Sequence, residues 1–170
     1  MRTILMLTFA LAACTSPPPL IQPAARPTSS ILLDAHNRER SAVGVPPLVW
    51  DRSLENAAAT YARQLAGVGA LRHSPRQARP GQGENLWMGT RGAFPPQLMI
   101  ASWSAERARF RPGIFPAVSR TGNWADIGHY SQMIWPTTTR LGCAVASSVR
   151  TDVLVCRYAP AGNIDGRRVP

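Results

Sequence analysis

Residues 128–135, Gly128-His129-Tyr130-Ser131-Gln132-Met133-Ile134-Trp135, decide how the rest of the chain is read. An imidazole, a phenol, a hydroxyl and an amide follow one another, then give way to an apolar run ending in Trp135. A surface loop has no need of that run, and a plain core segment has no need of the polar groups before it. The mixture predicts a segment anchored by Met133, Ile134 and Trp135 whose polar part lines a cavity. His129 is read either as a satisfied structural group or as a ligand or catalyst.

Working outward, two segments rich in strand formers follow: 141–146 (Leu-Gly-Cys-Ala-Val-Ala) and 153–158 (Val-Leu-Val-Cys-Arg-Tyr). The polar link between them, Ser147 to Asp152, reads as a hairpin. Cys143 and Cys156 fall on the two presumed partner strands. In an oxidising compartment their pairing would close a loop of about 14 residues; the alternative is two free buried thiols.

On the N-terminal side, a helix starting near Pro95-Pro96 would carry Met99, Trp103 and Phe110 on one face. At 100° per residue Glu106 lies within about 20° of Met99 and about 40° of Phe110. A carboxylate in an apolar face is costly unless it is paired, protonated or bound to a cation, and its neighbours Arg107 and Arg109 point elsewhere. Earlier still, residues 83–87 set Glu84 and Asn85 beside Leu86 and Trp87, and residues 71–83 read as a basic, Pro-containing loop bearing His73. Two more helices are expected. One covers residues 31–43, with Ser29 or Ser30 as N-cap and Gly44 at its end. The other is capped by Asp51, carries Leu54, Ala57, Ala58, Tyr61 and Leu65 on one face, and stops at Gly67.

The first residues have a different character. Met1-Arg2-Thr3 precedes an apolar run over 4–13, too short for a helical span of about 20 residues but suited to a signal peptide. That run ends in Leu-Ala-Ala before Cys14, a pattern similar to a bacterial lipoprotein signal, in which the cysteine is acylated. Residues 14–29, rich in proline, read as an extended tether. The predicted organisation is a signal peptide over 1–13, a tether over 14–29 from lipidated Cys14, a domain over 30–165 and a short tail over 166–170.

The chain has 170 residues, a globular composition and a formal net charge of +10. All of its basic residues are arginine. Their dispersal, with no nucleic-acid motif, argues against nucleic acid and leaves anionic lipid headgroups or envelope polymers as conceivable partners.

Together these segments resemble the CAP superfamily, the SCP-like group of cysteine-rich secretory proteins, venom antigens and plant pathogenesis-related proteins. The resemblance rests on His36-Asn37-x-x-Arg40, Leu48-x-Trp50, His73-Ser74, Gly83-Glu84-Asn85-Leu86 and Trp103-x-x-Glu106. It continues through Gly128-His129-Tyr130-Ser131-Gln132-x-x-Trp135 and Cys156-x-Tyr158-x-Pro160-x-Gly162-Asn163. It implies an α+β fold, a three-layer α-β-α sandwich around a central antiparallel sheet. It also implies a cleft lined by His73, Glu84, Glu106 and His129, with Asn85, Tyr130 and Ser131 beside them. In some members the four bind Zn2+ or another divalent cation, which suits imidazole and carboxylate donors. No organic cofactor is expected, nor the ion-channel activity tied to a cysteine-rich extension that this sequence does not show after Asn163.

Two functions compete. One is a non-catalytic extracytoplasmic module, monomeric and held to a membrane by a lipid anchor, that binds a small lipid, a sterol-like ligand or an anionic envelope polymer. The other is a metal-dependent hydrolase using Glu84 or Glu106 as general base. No HExxH helix and no G-x-S-x-G turn around Ser131 supports the enzyme, so binding is favoured. Thr15 after Cys14 suggests the outer membrane and its periplasmic face; an ordinary secreted protein is the alternative.

Overall fold

A computed structural model describes residues 26–170. The signal segment, most of the tether and Cys14 lie outside the described residues. Helix α1 (Thr28–Ala42) starts within the stretch assigned to the tether. Pro27 holds its N-cap position with no side-chain bond, and both candidate capping serines lie inside the helix. Helix α2 (Arg52–Val68) begins as expected, with Asp51 accepting from the Ser53 and Leu54 N–H groups. It passes Gly67 and ends at Gly69, whose left-handed φ of 66° suits a glycine C-terminus.

The sheet is built from β1 (Val49–Trp50), β2 (Gly83–Thr90), β4 (Arg140–Ser147) and β5 (Thr151–Ala159), in the order β1-β4-β5-β2. Its three long strands are antiparallel, as the expected sandwich requires, while the two-residue β1 adds a parallel edge to β4. β5 is central and buried on both faces, so side-chain alternation sorts its residues between two layers. Val153 and Val155 pack on Ala58, Ala62, Leu65 and Ala66 of α2. Leu154, Cys156 and Tyr158 point the other way, into a core shared with Leu32 of α1 and with Met99, Ile100 and Trp103 of α3 (Pro96–Ser104). The alanines let α2 lie close to the sheet. At Gly142 the approach leaves no space for a Cβ, which would collide with the backbone of Leu54 and Glu55.

The expected hairpin is present, and its register sets Cys143 directly opposite Cys156. The two form a disulfide spanning 13 positions of sequence. Closing such a loop contributes about 3 kcal/mol in the chain-entropy account.

A second, smaller core lies beside the sandwich. Phe110, Phe115, Val118, Ile127, Tyr130, Ile134, Trp135 and Val169 form it. Val169 belongs to β6 (Arg168–Val169), which pairs with β3 (Gly113–Ile114). Residues 166–170 are therefore not a loose tail, because this pairing carries Val169 into an apolar cluster. No helix among the described residues is long and apolar enough to cross a membrane.

Candidate functional site

The predicted α3 ends at Ser104, earlier than its apolar period suggests. A 3-10 turn over Ala105–Arg109 carries Glu106 inward. There the carboxylate faces the first turn of α4 (Gly128–Met133), the helix formed by most of the opening motif. Glu106 Oε2 accepts the backbone N–H groups of His129 and Tyr130, both at 3.0 Å, and Oε1 accepts His129 Nδ1–H at 2.6 Å. These two amides are among the unpaired donors of a helix start, where a negative charge is favourable. The other end of α4 meets a buried positive charge. Arg40 of α1, fully enclosed, donates to the carbonyls of Pro46, Met133, Trp135 and Thr138 at 2.7–3.0 Å. Burial lowers its pKa to about 10, which leaves it charged at neutral pH. Two buried ions of opposite sign thus fix a six-residue helix that would not hold its shape alone.

His129 is further set by its surroundings. Its ring stacks on Trp103, with centroids 5.6 Å apart and planes 9° from parallel. Its carbonyl accepts Asn85 Nδ2–H at 3.0 Å. Asn85 also donates to Tyr158 Oη at 3.1 Å; Tyr158 donates to His36 Nε2 at 2.8 Å, and His36 Nδ1–H bonds the Leu32 carbonyl at 2.8 Å. The chain of bonds fixes the His36 tautomer. Burial pulls the His36 pKa down to about 4, outweighing the Leu32 bond, so this imidazole stays neutral. Tyr158, enclosed in the same way, titrates well above an ordinary tyrosine.

The second histidine has a matching arrangement. His73 Nδ1–H donates to Glu84 Oε1 at 2.8 Å. Glu84 stands at the start of β2 on the α2 side of the sheet and accepts the Ser74 N–H and hydroxyl, each at 2.9 Å. Arg157 of β5 adds an ion pair at 3.0 Å and lies over the Tyr61 ring. Burial is the largest single influence on Glu84 and pushes its pKa up. The bond from His73, the charge of Arg157 and the two Ser74 donors together outweigh it, and the pKa is lowered. Glu84 is thus a buried, ionised and fully used acceptor.

His73, Glu84, Asn85 and His129 line one cleft of about 910 Å3 at the end of the sheet. Glu106 sits behind His129 and does not line it. Two expectations need correction. Tyr130 and Ser131 are enclosed rather than cleft-facing: Tyr130 packs in the second core, and the single Ser131 hydroxyl proton is directed at Asn163 Oδ1 at 2.7 Å, with the Gly128 carbonyl a longer 3.2 Å away. The turn of helix α4 rotates both away from the cavity. Nor do the four His and Glu residues converge as one ligand set. They form two separate His–Glu pairs, and among the described residues no group of three or more His, Cys, Asp or Glu side chains could hold a metal ion. Both carboxylates are already occupied by N–H and O–H donors. A four-ligand cation site does not fit this arrangement; the two imidazole Nε2 atoms are the donors that stay free.

Sequence reasoning missed Arg76, Arg79, Gln82, Trp124 and Asp165 in the cleft lining, and Arg157 behind it. Arg157 had a signal, since a lone charge between Cys156 and Tyr158 in an otherwise apolar strand needs a partner. Trp124 had one too: it is an isolated large aromatic in Gly122-Asn123-Trp124-Ala125-Asp126.

An α-β-α sandwich with two histidines presented by buried glutamates at one end of the sheet defines a class of protein. The chain belongs to the cysteine-rich secretory protein family, CAP, whose sequence pattern matches residues 33–158. It is 36% identical over 137 residues to a PR-1 type pathogenesis-related protein of Sambucus nigra, covering 80% of this chain and 78% of the relative. It is 32% identical over 169 residues to the pathogenesis-related protein PRMS of Zea mays, covering 97% and 94%. Among solved structures it is similar to NaASP2, crystallised with Zn2+, at a TM-score of 0.71 and 25% identity over 83% of both chains. An outer surface protein of Borrelia burgdorferi shares the fold alone, with a TM-score of 0.55 and 15% identity over 79% of this chain and 93% of that one.

Proposed function

We propose that this protein is an exported, non-catalytic binding module whose cleft takes a cell-envelope component. One observation carries the reading. Each cleft histidine is tied through Nδ1 to a glutamate whose oxygens are already in use, which leaves two oriented imidazole edges facing the cleft and neither carboxylate free to act as a base. The competing metal-dependent hydrolase needs Glu84 or Glu106 within reach of the attacking water as its base. Here Glu84 would have to abandon Arg157 and Ser74, and Glu106 the start of α4. Ser131 as nucleophile fares no better, because its hydroxyl is enclosed.

The lining mixes Arg76, Arg79, Gln82 and Asp165 with Phe115, Trp124 and Ile164. Such a wall favours a polar or amphiphilic envelope component over a purely apolar lipid chain. A divalent cation such as the Zn2+ that accompanies NaASP2 would be held here by His73 and His129 alone. Glu84 and Glu106 would then orient the rings and raise their basicity. We extend the reading to anchoring: acylated Cys14 would hold the domain at a membrane, so Cys14→Ser should move the protein to the soluble fraction.

Co-sedimentation with a crude envelope fraction tests the binding role. The wild-type chain should sediment saturably, and the His73→Ala/His129→Ala variant should lose at least tenfold in apparent affinity. Equal sedimentation of both would overturn the assignment of the cleft. Equilibrium dialysis against Zn2+ tests the cation separately; equal uptake by both proteins would reject it.

A further inference from the structure

One wall of the cleft carries Trp124, a large ring that belongs to none of the hydrophobic cores. Trp124 opens a short 3-10 turn whose start is capped by Asn123 Oδ1, which accepts the Ala125 N–H at 3.1 Å. Phe115 meets the indole edge-on, with ring centroids 5.5 Å apart. Gly128 lies so close that a Cβ there would come within 3.1 Å of Trp124 Cζ3. The ring is therefore held from behind by Phe115 and by the backbone of α4, yet Trp124 remains 47% exposed. A large apolar side chain fixed at the wall of a cavity and left in water loses the burial that would justify its rigidity.

The groups around it define what would cover the ring. Gln82, another lining residue, brings a side-chain amide to the same cleft, a group with both donor and acceptor atoms. Asp165 adds an acceptor, Arg76 adds donors, and the two imidazole edges add further polar atoms. A hydrocarbon chain would cover the indole but leave all of these unpaired. An alkylammonium ion would be drawn to the ring face but repelled by Arg76 and Arg79. A pyranose meets both demands. Its C–H face stacks flat on an indole, while its hydroxyls, each a donor and an acceptor, radiate toward the polar rim.

We propose that Trp124 is the platform of a saccharide subsite within this cleft. The inference rests on the cleft being a ligand site for an envelope component, and it names the chemical class of that component. A pyranose could arrive as a free oligosaccharide or as part of an envelope polymer. Two probes separate these sources: a soluble tetramer of N-acetylglucosamine and insoluble peptidoglycan.

The test uses the full chain, with binding read by isothermal titration calorimetry for the tetramer and by sedimentation for the polymer. Wild type should bind at least one probe saturably. Trp124→Ala should weaken that binding at least tenfold, and Trp124→Tyr, which keeps a flat ring, should stay within about threefold of wild type. An unchanged melting temperature in both variants would tie the loss to the subsite. Binding of the polymer alone identifies a polymer ligand, and binding of the tetramer identifies a site for short saccharides; either, when Trp124-dependent, supports the subsite. Equal affinity of Trp124→Ala and wild type overturns it. If neither saccharide binds while crude envelope still binds in a His73- and His129-dependent way, the saccharide assignment fails and the cleft reading stands. If crude envelope is not bound either, both fail.

Discussion

At the residue scale, the cleft depends on charges placed where water cannot reach them. Glu84 has no exposed side-chain surface and Arg157 only 5%. Removing one partner of such a pair leaves the other buried without compensation, typically at a cost of about 3 kcal/mol or more. Glu84→Gln should therefore lower the unfolding free energy by about that amount, measured by denaturant titration at pH 7. Because the folded pKa of Glu84 is lowered, its contribution is present above the unfolded value and is lost as pH falls through the folded one. His36 adds an acid sensitivity of its own. Its folded pKa of about 4 lies below the ordinary histidine value of 6.5, so between these limits the unfolded chain binds a proton that the folded chain refuses. Stability should fall by about 3 kcal/mol as pH drops through that window. His36→Gln, though weaker at pH 7, should lack this component. Denaturation curves at pH 7 and pH 4.5 would measure the difference in slope, and parallel slopes would contradict it.

At the scale of elements, α4 shows how far local reading reaches. Its anchor was legible: Met133, Ile134 and Trp135 are all buried, as the apolar run predicts. The cavity-lining role of its polar half was legible only for His129. The reason is periodicity: a helix turns Tyr130 and Ser131 inward, and a six-residue segment is too short to display that period. The start of α4 was legible in part. The misfit of Glu106 on an apolar face was visible from spacing and pointed to a partner, but that partner is the backbone of a helix 23 positions away in the chain. Arg40 was recognisable only as part of a family motif, since its four acceptors are carbonyls and carbonyls carry no sequence signature. Its function predicts a specific failure. Arg40→Lys keeps the charge but loses the planar fork that reaches several acceptors at once. It should cost about 3 kcal/mol, since buried carbonyls would be left unpaired. Hydrogen exchange should then speed up first in residues 128–138, ahead of the β4–β5 hairpin; uniform acceleration would show that Arg40 serves the whole core rather than α4.

At the scale of the molecule, two cores hold the two sides of the cleft. The sandwich core, through Trp103, Tyr158 and Asn85, fixes His129. The smaller core, through Phe115, supports the wall at Trp124. The pieces of the sandwich were legible because α2 and the hairpin carry strong local periods, whereas their layering was expected from the family resemblance. The smaller core was not, because it is assembled from loops, short turns and two-residue strands that bring Phe110, Phe115, Val118 and Val169 together from distant positions. Residues 166–170 look like a polar tail in sequence, since Arg167 and Arg168 dominate them; only the pairing with β3 turns Val169 inward. This division of labour is testable at Val169, which is fully buried. Val169→Ala removes two methyl groups from the smaller core and should lower stability by about 2 kcal/mol, transfer and cavity effects together. Its local consequence should be confined to one side of the cleft. Near-ultraviolet circular dichroism and tryptophan fluorescence should report a looser Phe115–Trp124 contact, and saccharide binding should weaken with it. The His73 imidazole resonances should keep their wild-type chemical shifts, because the His73–Glu84 pair is held by Ser74 and Arg157 and not by the smaller core. If those shifts moved as far as the tryptophan signal, the two cores would be a single cooperative unit and the cleft would open or close as a whole.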